Sequence, residues 1–114
     1  SEECPVTDAY KNMILEAVDT STTLTGEKFG APVRGIKNEL TKRYHELEEQ
    51  SSTLMELEEL TLGSLRRAVY DGDVENGSVM AGQIAGLVTE IRPVKNIIED
   101  IIKEAREVLK KTEI

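Results

Sequence analysis

Small residues recur along one stretch of this 114-residue chain, between positions 77 and 86. Gly77, Gly82 and Gly86 alternate there with Ala81 and Ala85, so the main chain carries very little side-chain bulk. Glycine inside a regular segment costs about 0.5–1 kcal/mol relative to alanine, because it loses more conformational freedom on folding. Two explanations are open: tight packing or an end cap within the protein, and close approach of the main chain to a flat ligand.

The composition favours a helical protein. With three Tyr, one Phe and no Trp, the core must come from aliphatic side chains, and the length allows one domain. The formal net charge of −8 argues against nucleic acid as a partner, because phosphates carry the same sign. The single cysteine, Cys4, excludes an internal disulfide and a cysteine-based zinc site.

Nothing in the sequence indicates contact with a membrane. No apolar run reaches the roughly 18 residues needed to span a bilayer, and the N-terminus resembles no cleavable signal. We therefore expect no membrane partner and a cytoplasmic location. The first residue is Ser1 rather than Met, from which we expect a processed or excised piece.

Helix signals occur in three places before the small-residue stretch. Thr7 or Asp8 can cap a first helix, because a short side-chain oxygen accepts from free N–H groups of the first turn. Pro32 suits the first turn of a second helix. Ser51 or Ser52 can cap a third. The apolar stripe of the second helix comprises Val33, Ile36, Leu40, Tyr44 and Leu47.

Two breaks separate these helices. Between Asp19 and Gly26 several threonines surround Leu24, which favours extended backbone and predicts a short strand or extended connection. Gly63 interrupts the third helix and predicts a kink or two short helices. Residues 71–77 form a polar turn. An EF-hand calcium loop would need glycine and glutamate where this turn leads to Asn76 and Gly82, so we reject a calcium site.

The last helix has the strongest amphipathic pattern and begins at Pro93. About 20 residues would extend roughly 30 Å. We expect its stripe to belong to the core, with a partner helix as the alternative. The stripe comprises Val94, Ile97, Ile98, Ile101, Ile102, Ala105, Val108 and Leu109.

Three stretches, in the same order, resemble one enzyme family. In chain order, they are the segment Glu3-Cys4-Pro5 with Tyr10-Lys11 after it, the segment from Asp19 to Asn38, and residues 71–88. The sequence of these stretches resembles the C-terminal region of the flavin-dependent enoyl-acyl-carrier-protein reductase II and nitronate monooxygenase family. The resemblance covers most of residues 3–88, and beyond Val88 it is one of helical character only.

The resemblance implies the C-terminal fragment of a flavin-dependent TIM barrel, (β/α)8. The helical patterns and the threonine-rich segment predict a fold that is mainly α with one short extended segment. Within a single region, 1–114, we expect four parts. They are a post-barrel helix and extended connection (1–30), a helical subdomain (31–72), a flavin-site closing segment (73–90) and an amphipathic C-terminal helix (91–114). The upstream barrel domain is the expected partner, and self-association into a homo-oligomer is a further expectation.

For the complete protein the resemblance implies FMN as cofactor and NADH or NADPH as the electron donor. Ser78 and Gln83 would hydrogen-bond to the flavin ring or substrate, and Met80 would pack against either of these. The small residues Ala81 and Gly82 would let the main chain approach the planar ring. Without a ligand, Ser78 would be a helix cap, Met80 core and Gln83 a partly exposed polar residue. No catalytic or metal-binding residue is assigned in these residues.

The family's phosphate-binding loops and catalytic histidine would lie upstream. The lone histidine, His45, is expected to be a solvated surface residue. One of the matching segments contains Arg34, Lys37 and Asn38. For these residues a scaffolding role is at least as well supported as a functional one. The complete protein is expected to be an FMN-dependent oxidoreductase that acts on an enoyl thioester or a nitronate, with the isolated chain inactive. The alternative is a stand-alone helical interaction or oligomerisation module without catalysis.

Overall fold

The structure, a computed structural model, describes residues 1–50 and 52–113. The chain forms two compact units. One consists of Val6–Thr89, and the other of Ser1–Pro5 together with the residues from Glu90 onward. Each unit is described by itself.

The unit Val6–Thr89 combines short helices with one β-hairpin. Two 3-10 turns, Glu27–Phe29 and Gln83–Leu87, complete it. Its elements in chain order are α1 (Asp8–Leu15), β1 (Thr22–Thr25), β2 (Val33–Ile36), α2 (Glu39–Glu49), α3 (Leu54–Thr61) and α4 (Ser64–Val69).

The extended segment predicted around Leu24 is strand β1, but it has a partner that the sequence did not predict. Strand β2 pairs with it antiparallel, with Thr22 opposite Ile36 and Thr25 opposite Val33. Our prediction of a helix from Pro32 was therefore wrong at its start. Val33 and Ile36 matched the helical spacing, yet β-branched residues also suit a strand, and pairing with β1 decides between the two. The described residues include two short extended segments, where one was expected.

Helix α2 begins where a capping box forms. The Asn38 side chain accepts from the Thr41 N–H at 3.0 Å, and the Thr41 hydroxyl accepts from the Asn38 N–H at 3.0 Å. Two otherwise unpaired donors of the first turn are thereby satisfied. The cap thus lies six residues after Pro32, and the helix starts at the next residue, Glu39.

The predicted break at Gly63 is confirmed. Gly63 has a φ of 71°, a left-handed conformation that glycine adopts at little cost, and it separates α3 from α4. The cap of α3 is Thr53, whose hydroxyl accepts from the Glu56 N–H at 3.3 Å. Ser52 is therefore not the cap, and Ser51 lies outside the described residues.

The core lies where the helices meet the hairpin and the small-residue stretch. Leu57, Ala68 and Val79 have at most 1 % of their surface exposed. Thr7 precedes α1 as predicted, but its hydroxyl donates to the Ala68 carbonyl at 3.0 Å and does not cap the helix. The remaining buried hydrophobic residues are Tyr10, Ala17, Ile36, Leu40, Tyr44 and Ala85.

The second unit is built around α5 (Val94–Thr112). Its first turn is capped by the Glu3 carboxylate, which accepts from the Val94 N–H at 2.9 and 3.1 Å, and Arg92 pairs with Asp100. No residue of α5 is buried, so the expectation that its stripe is core does not hold within the described residues. None of the described helices has the length and apolar character needed to cross a membrane.

Candidate functional site

The five predicted site residues lie on one loop, residues 78–83, which leads into the 3-10 turn Gln83–Leu87. Ser78 and Ala81 are half-buried, whereas Gly82 and Gln83 are exposed. Met80 is 45 % exposed. The core role that we considered for Met80 is therefore not what the structure has. Whether these residues bind a ligand stays a prediction.

The loop is held against strand β2 by main-chain hydrogen bonds. The Ile36 N–H donates to the Val79 carbonyl at 2.8 Å, and Gly35 and Met80 form an antiparallel bridge. A Cβ on Gly35 would lie 2.9 Å from the Val79 oxygen. Glycine at this position therefore lets β2 and the loop come this close. The loop thus lies along β2 and adds one isolated bridge to the two-stranded hairpin.

Two side chains from other elements anchor this loop and the turn just before it. Sequence reasoning missed the role of Tyr10 and gave Asn38 only a general scaffolding role. The Tyr10 hydroxyl donates to the Met80 carbonyl at 2.8 Å. The Asn38 carboxamide donates to the Val74 and Gly77 carbonyls, each at 2.7 Å. An Asx residue ahead of a helix signals a cap, but no local pattern reveals donors that reach 36 to 70 residues away.

Ser78 faces the interior of the unit. Its hydroxyl lies 2.6 Å from that of Ser64, and its N–H donates to the Ser64 carbonyl at 2.9 Å. Ser64 is the first residue of α4 and is 5 % exposed. Ser78 therefore joins the loop to α4 and does not cap a helix, and its hydroxyl already has one partner.

Packing accounts for two of the three glycines of the small-residue stretch. A Cβ on Gly77 would lie 2.5 Å from the Asp73 oxygen and 2.6 Å from the Ala68 nitrogen. A Cβ on Gly86 would lie 2.9 Å from the Val18 carbonyl carbon. Gly82 differs, because nothing lies within 4 Å of the position its Cβ would take. Tight internal contact explains Gly77 and Gly86, and only Gly82 leaves main chain open to a ligand.

The open main chain is accompanied by exposed apolar side chains. Met80, Ile84 and Leu87 are 45, 70 and 79 % exposed. On the hairpin side of the loop, a cavity of about 30 Å³ is lined in part by Gly35, Ser78 and Met80. That space suits about one water molecule and is far too small for a ring system. A flat ligand would therefore not fit in this cavity.

The polar turn before the loop is ordered by its own side chains. The Asp73 carboxylate accepts from the Asn76 N–H at 3.0 Å, and this hydrogen bond is the main reason that the pKa of Asp73 lies below its ordinary value. Arg67 donates to the Asn76 carbonyl at 3.2 Å, and Arg43 donates to the Asn76 side chain at 2.6 Å. The turn therefore enters the loop in a fixed conformation.

His45 is half-buried, which corrects our expectation of a solvated surface residue. Its Nε2 lies 3.1 Å from the Thr23 hydroxyl, and its ring packs edge-on to Tyr44 with the ring centres 6.5 Å apart. The physical reason is that β1 lies against this face of α2. Among the described residues, no group of three or more His, Cys, Asp or Glu side chains could hold a metal ion.

The comparisons with known proteins agree on one family. The model of the nitronate monooxygenase family matches residues 1–104. A probable nitronate monooxygenase from Staphylococcus saprophyticus is 27 % identical over 109 residues, which are 96 % of this chain and 30 % of that protein.

Two solved structures are similar to this chain. FabK from Thermotoga maritima has a TM-score of 0.86 and 46 % identity, over 93 % of this chain and 33 % of that one. A methionine-to-alanine mutant of the same FabK has a TM-score of 0.76 and 40 % identity, over 93 % of this chain and 31 % of that one. The chain thus spans about a third of the length of these relatives.

Proposed function

We propose, from the premise that this chain belongs to the nitronate monooxygenase family, that it is the C-terminal part of an FMN-dependent oxidoreductase. The resemblance inferred from the sequence is thereby confirmed at the level of the family. In the proposal, these residues follow a TIM barrel and help to close its flavin and substrate site. The barrel is the partner of this chain within the complete protein.

One observation carries the proposed role: the open main chain of Gly82 beside the exposed Met80. Main-chain hydrogen bonds hold the loop against β2, and the edge of the loop at Gly82 is unobstructed. Such an edge fits the face of a planar ring, since bare backbone permits close approach and a thioether adapts to an aromatic surface. Ala81 and Gln83 flank this edge, and Gln83 is exposed, so its carboxamide would be the group that hydrogen-bonds to a ring or substrate there.

FMN, when bound, supplies the redox chemistry, and the residues of this chain supply contact and exclusion of water. The complete protein would reduce an enoyl thioester or oxidise a nitronate. NADH or NADPH as electron donor rests on the family resemblance alone. The isolated chain would have no activity and would bind FMN weakly, because the phosphate-binding loops lie upstream in the proposal.

The test is a matched pair of substitutions in the complete protein. Gly82→Val adds bulk into open space in a backbone conformation that valine tolerates, with φ of −81° and ψ of 173°. Ala31→Val adds bulk at an exposed position on the hairpin. We expect Gly82→Val alone to weaken FMN binding or turnover at least about tenfold, which corresponds to 1.4 kcal/mol. Equal FMN affinity and turnover in the two variants would contradict the proposal.

The exposed stripe of α5 is the observation behind the alternative, a free-standing helical interaction module. Membership of an enzyme family favours the oxidoreductase. Sedimentation at several concentrations, with and without the upstream barrel residues, separates the two. A stable, compact monomer without the barrel would favour the module, and self-association that the barrel abolishes would favour the oxidoreductase.

A further inference from the structure

We propose that Tyr10 and Asn38 are positioning residues that fix the loop 78–83 in the conformation that presents Gly82. Their consequence for flavin chemistry rests on the proposed function. The mechanical part of the proposal depends only on hydrogen bonds within the described residues.

Asn38 holds the entrance of the loop. Both of its amide protons are used, on the Val74 and Gly77 carbonyls at 2.7 Å each. Its oxygen accepts from the Thr41 N–H at 3.0 Å and caps α2. A carboxamide is the group that supplies two donors and an acceptor from one planar side chain, whereas a carboxylate lacks the donors and an ammonium lacks the acceptor. The start of α2 and the chain just before Ser78 are therefore locked together.

Tyr10 holds the middle of the loop. Its side chain projects from α1, is 9 % exposed and donates from its hydroxyl to the Met80 carbonyl at 2.8 Å. Strand β2 meanwhile takes the Val79 carbonyl, through the Ile36 N–H. Consecutive carbonyls of the loop are thus satisfied from different elements. Two residues later the main chain of Gly82 is open.

These contacts predict a local effect that a general loss of stability would not produce. Amide exchange in a native protein reports local opening separately from global unfolding. If Asn38 and Tyr10 position the loop, removing their donors should release the loop more than the rest of the unit. If they only add stability, exchange should accelerate throughout the unit to a similar degree.

The experiment uses two variants that remove the donors and keep the size and shape of each side chain. Asn38→Asp keeps a cap oxygen for α2 but removes both amide donors, and Tyr10→Phe keeps the buried ring. The matched controls are Asn96→Asp on the exposed face of α5 and Tyr70→Phe, whose ring is 68 % exposed. Exchange is measured in the full chain by NMR, at the Ser78 and Ala81 amides and at the Leu57 amide in α3.

We expect each variant, but neither control, to speed exchange at Ser78 and Ala81 by about two- to tenfold more than at Leu57. Equal acceleration at all three amides, or none, would overturn the positioning role. The same variants in the complete protein then test the link to the flavin. A loosened loop with lower turnover or weaker FMN binding supports both proposals. A loosened loop with unchanged turnover and FMN affinity leaves the positioning role standing and overturns the proposed function.

Discussion

The Tyr10 hydroxyl and the Met80 carbonyl are joined by a 2.8 Å hydrogen bond across 70 residues of sequence. The bond connects α1 to the loop that carries every predicted site residue. It lies at the edge of the hydrophobic core, so its loss would leave the carbonyl without this donor in a partly buried place.

We therefore expect Tyr10→Phe to lower the free energy of unfolding by about 0.5–1.5 kcal/mol, the usual worth of one such hydrogen bond. Urea denaturation followed by circular dichroism measures this. Tyr70→Phe is the control, because its exposed hydroxyl has no such role, and it should leave the midpoint unchanged. Equal midpoints for the two variants would show that the hydroxyl contributes nothing.

Substitution by alanine should change the unfolding free energy at Gly77 much more than at Gly82. Gly77→Ala places a Cβ within 2.6 Å of main-chain atoms, which cannot move as a flexible side chain can. We expect a loss of about 1–3 kcal/mol in unfolding free energy, as for other overpacked sites. Gly82→Ala meets nothing within 4 Å and should be within about 0.5 kcal/mol of the parent. Thermal denaturation of both variants tests this, and a stable Gly77→Ala protein would contradict the packing.

Leu57 is the buried residue of α3, with 1 % of its surface exposed. Leu57→Ala should cost about 2–5 kcal/mol, from lost transfer energy and from the cavity left behind. Met55→Ala in the same helix is the control, since that side chain is 71 % exposed. Chemical denaturation should rank the two variants in this order, and the reverse order would disprove the assigned core.

The turn around Asp73 should loosen in acid. The pKa of Asp73 is lowered chiefly by the Asn76 N–H, so the carboxylate stabilises the folded turn. This contribution is fully present above the ordinary value of about 3.9 and is lost as the pH falls through the lowered folded value. An NMR titration of the Asp73 carboxyl carbon and the Asn76 amide should show both signals moving together below that ordinary value. A midpoint at or above it would contradict the hydrogen bond.

The sequence predicted those features that depend on local chemistry. Gly63 was enough to predict the division between α3 and α4, and the threonines around Leu24 predicted β1. The predicted start of α2 was wrong because Val33 and Ile36 satisfy both helical and strand preferences. Only the partner strand, which is not a local property, resolves such an ambiguity.

A candidate segment could be chosen from the sequence, but the contacts that hold it in place could not be predicted. The spacing of Gly77, Gly82 and Gly86 singled out this segment, although two of these glycines serve internal packing. Ligand binding by the segment stays a prediction. The anchoring roles of Tyr10 and Asn38 depend on atoms brought together by the fold. The core prediction for α5 failed within the described residues, because an amphipathic stripe identifies an apolar face without identifying what covers it.

The central claim is that the main chain around Gly82 contacts FMN in the complete protein. Hydrogen exchange of the complete protein with and without FMN tests it most directly, read at the amides of residues 80–84. We expect FMN to slow exchange at these amides while those of α3 change little. Unaltered exchange at residues 80–84 on saturation with FMN would contradict the account.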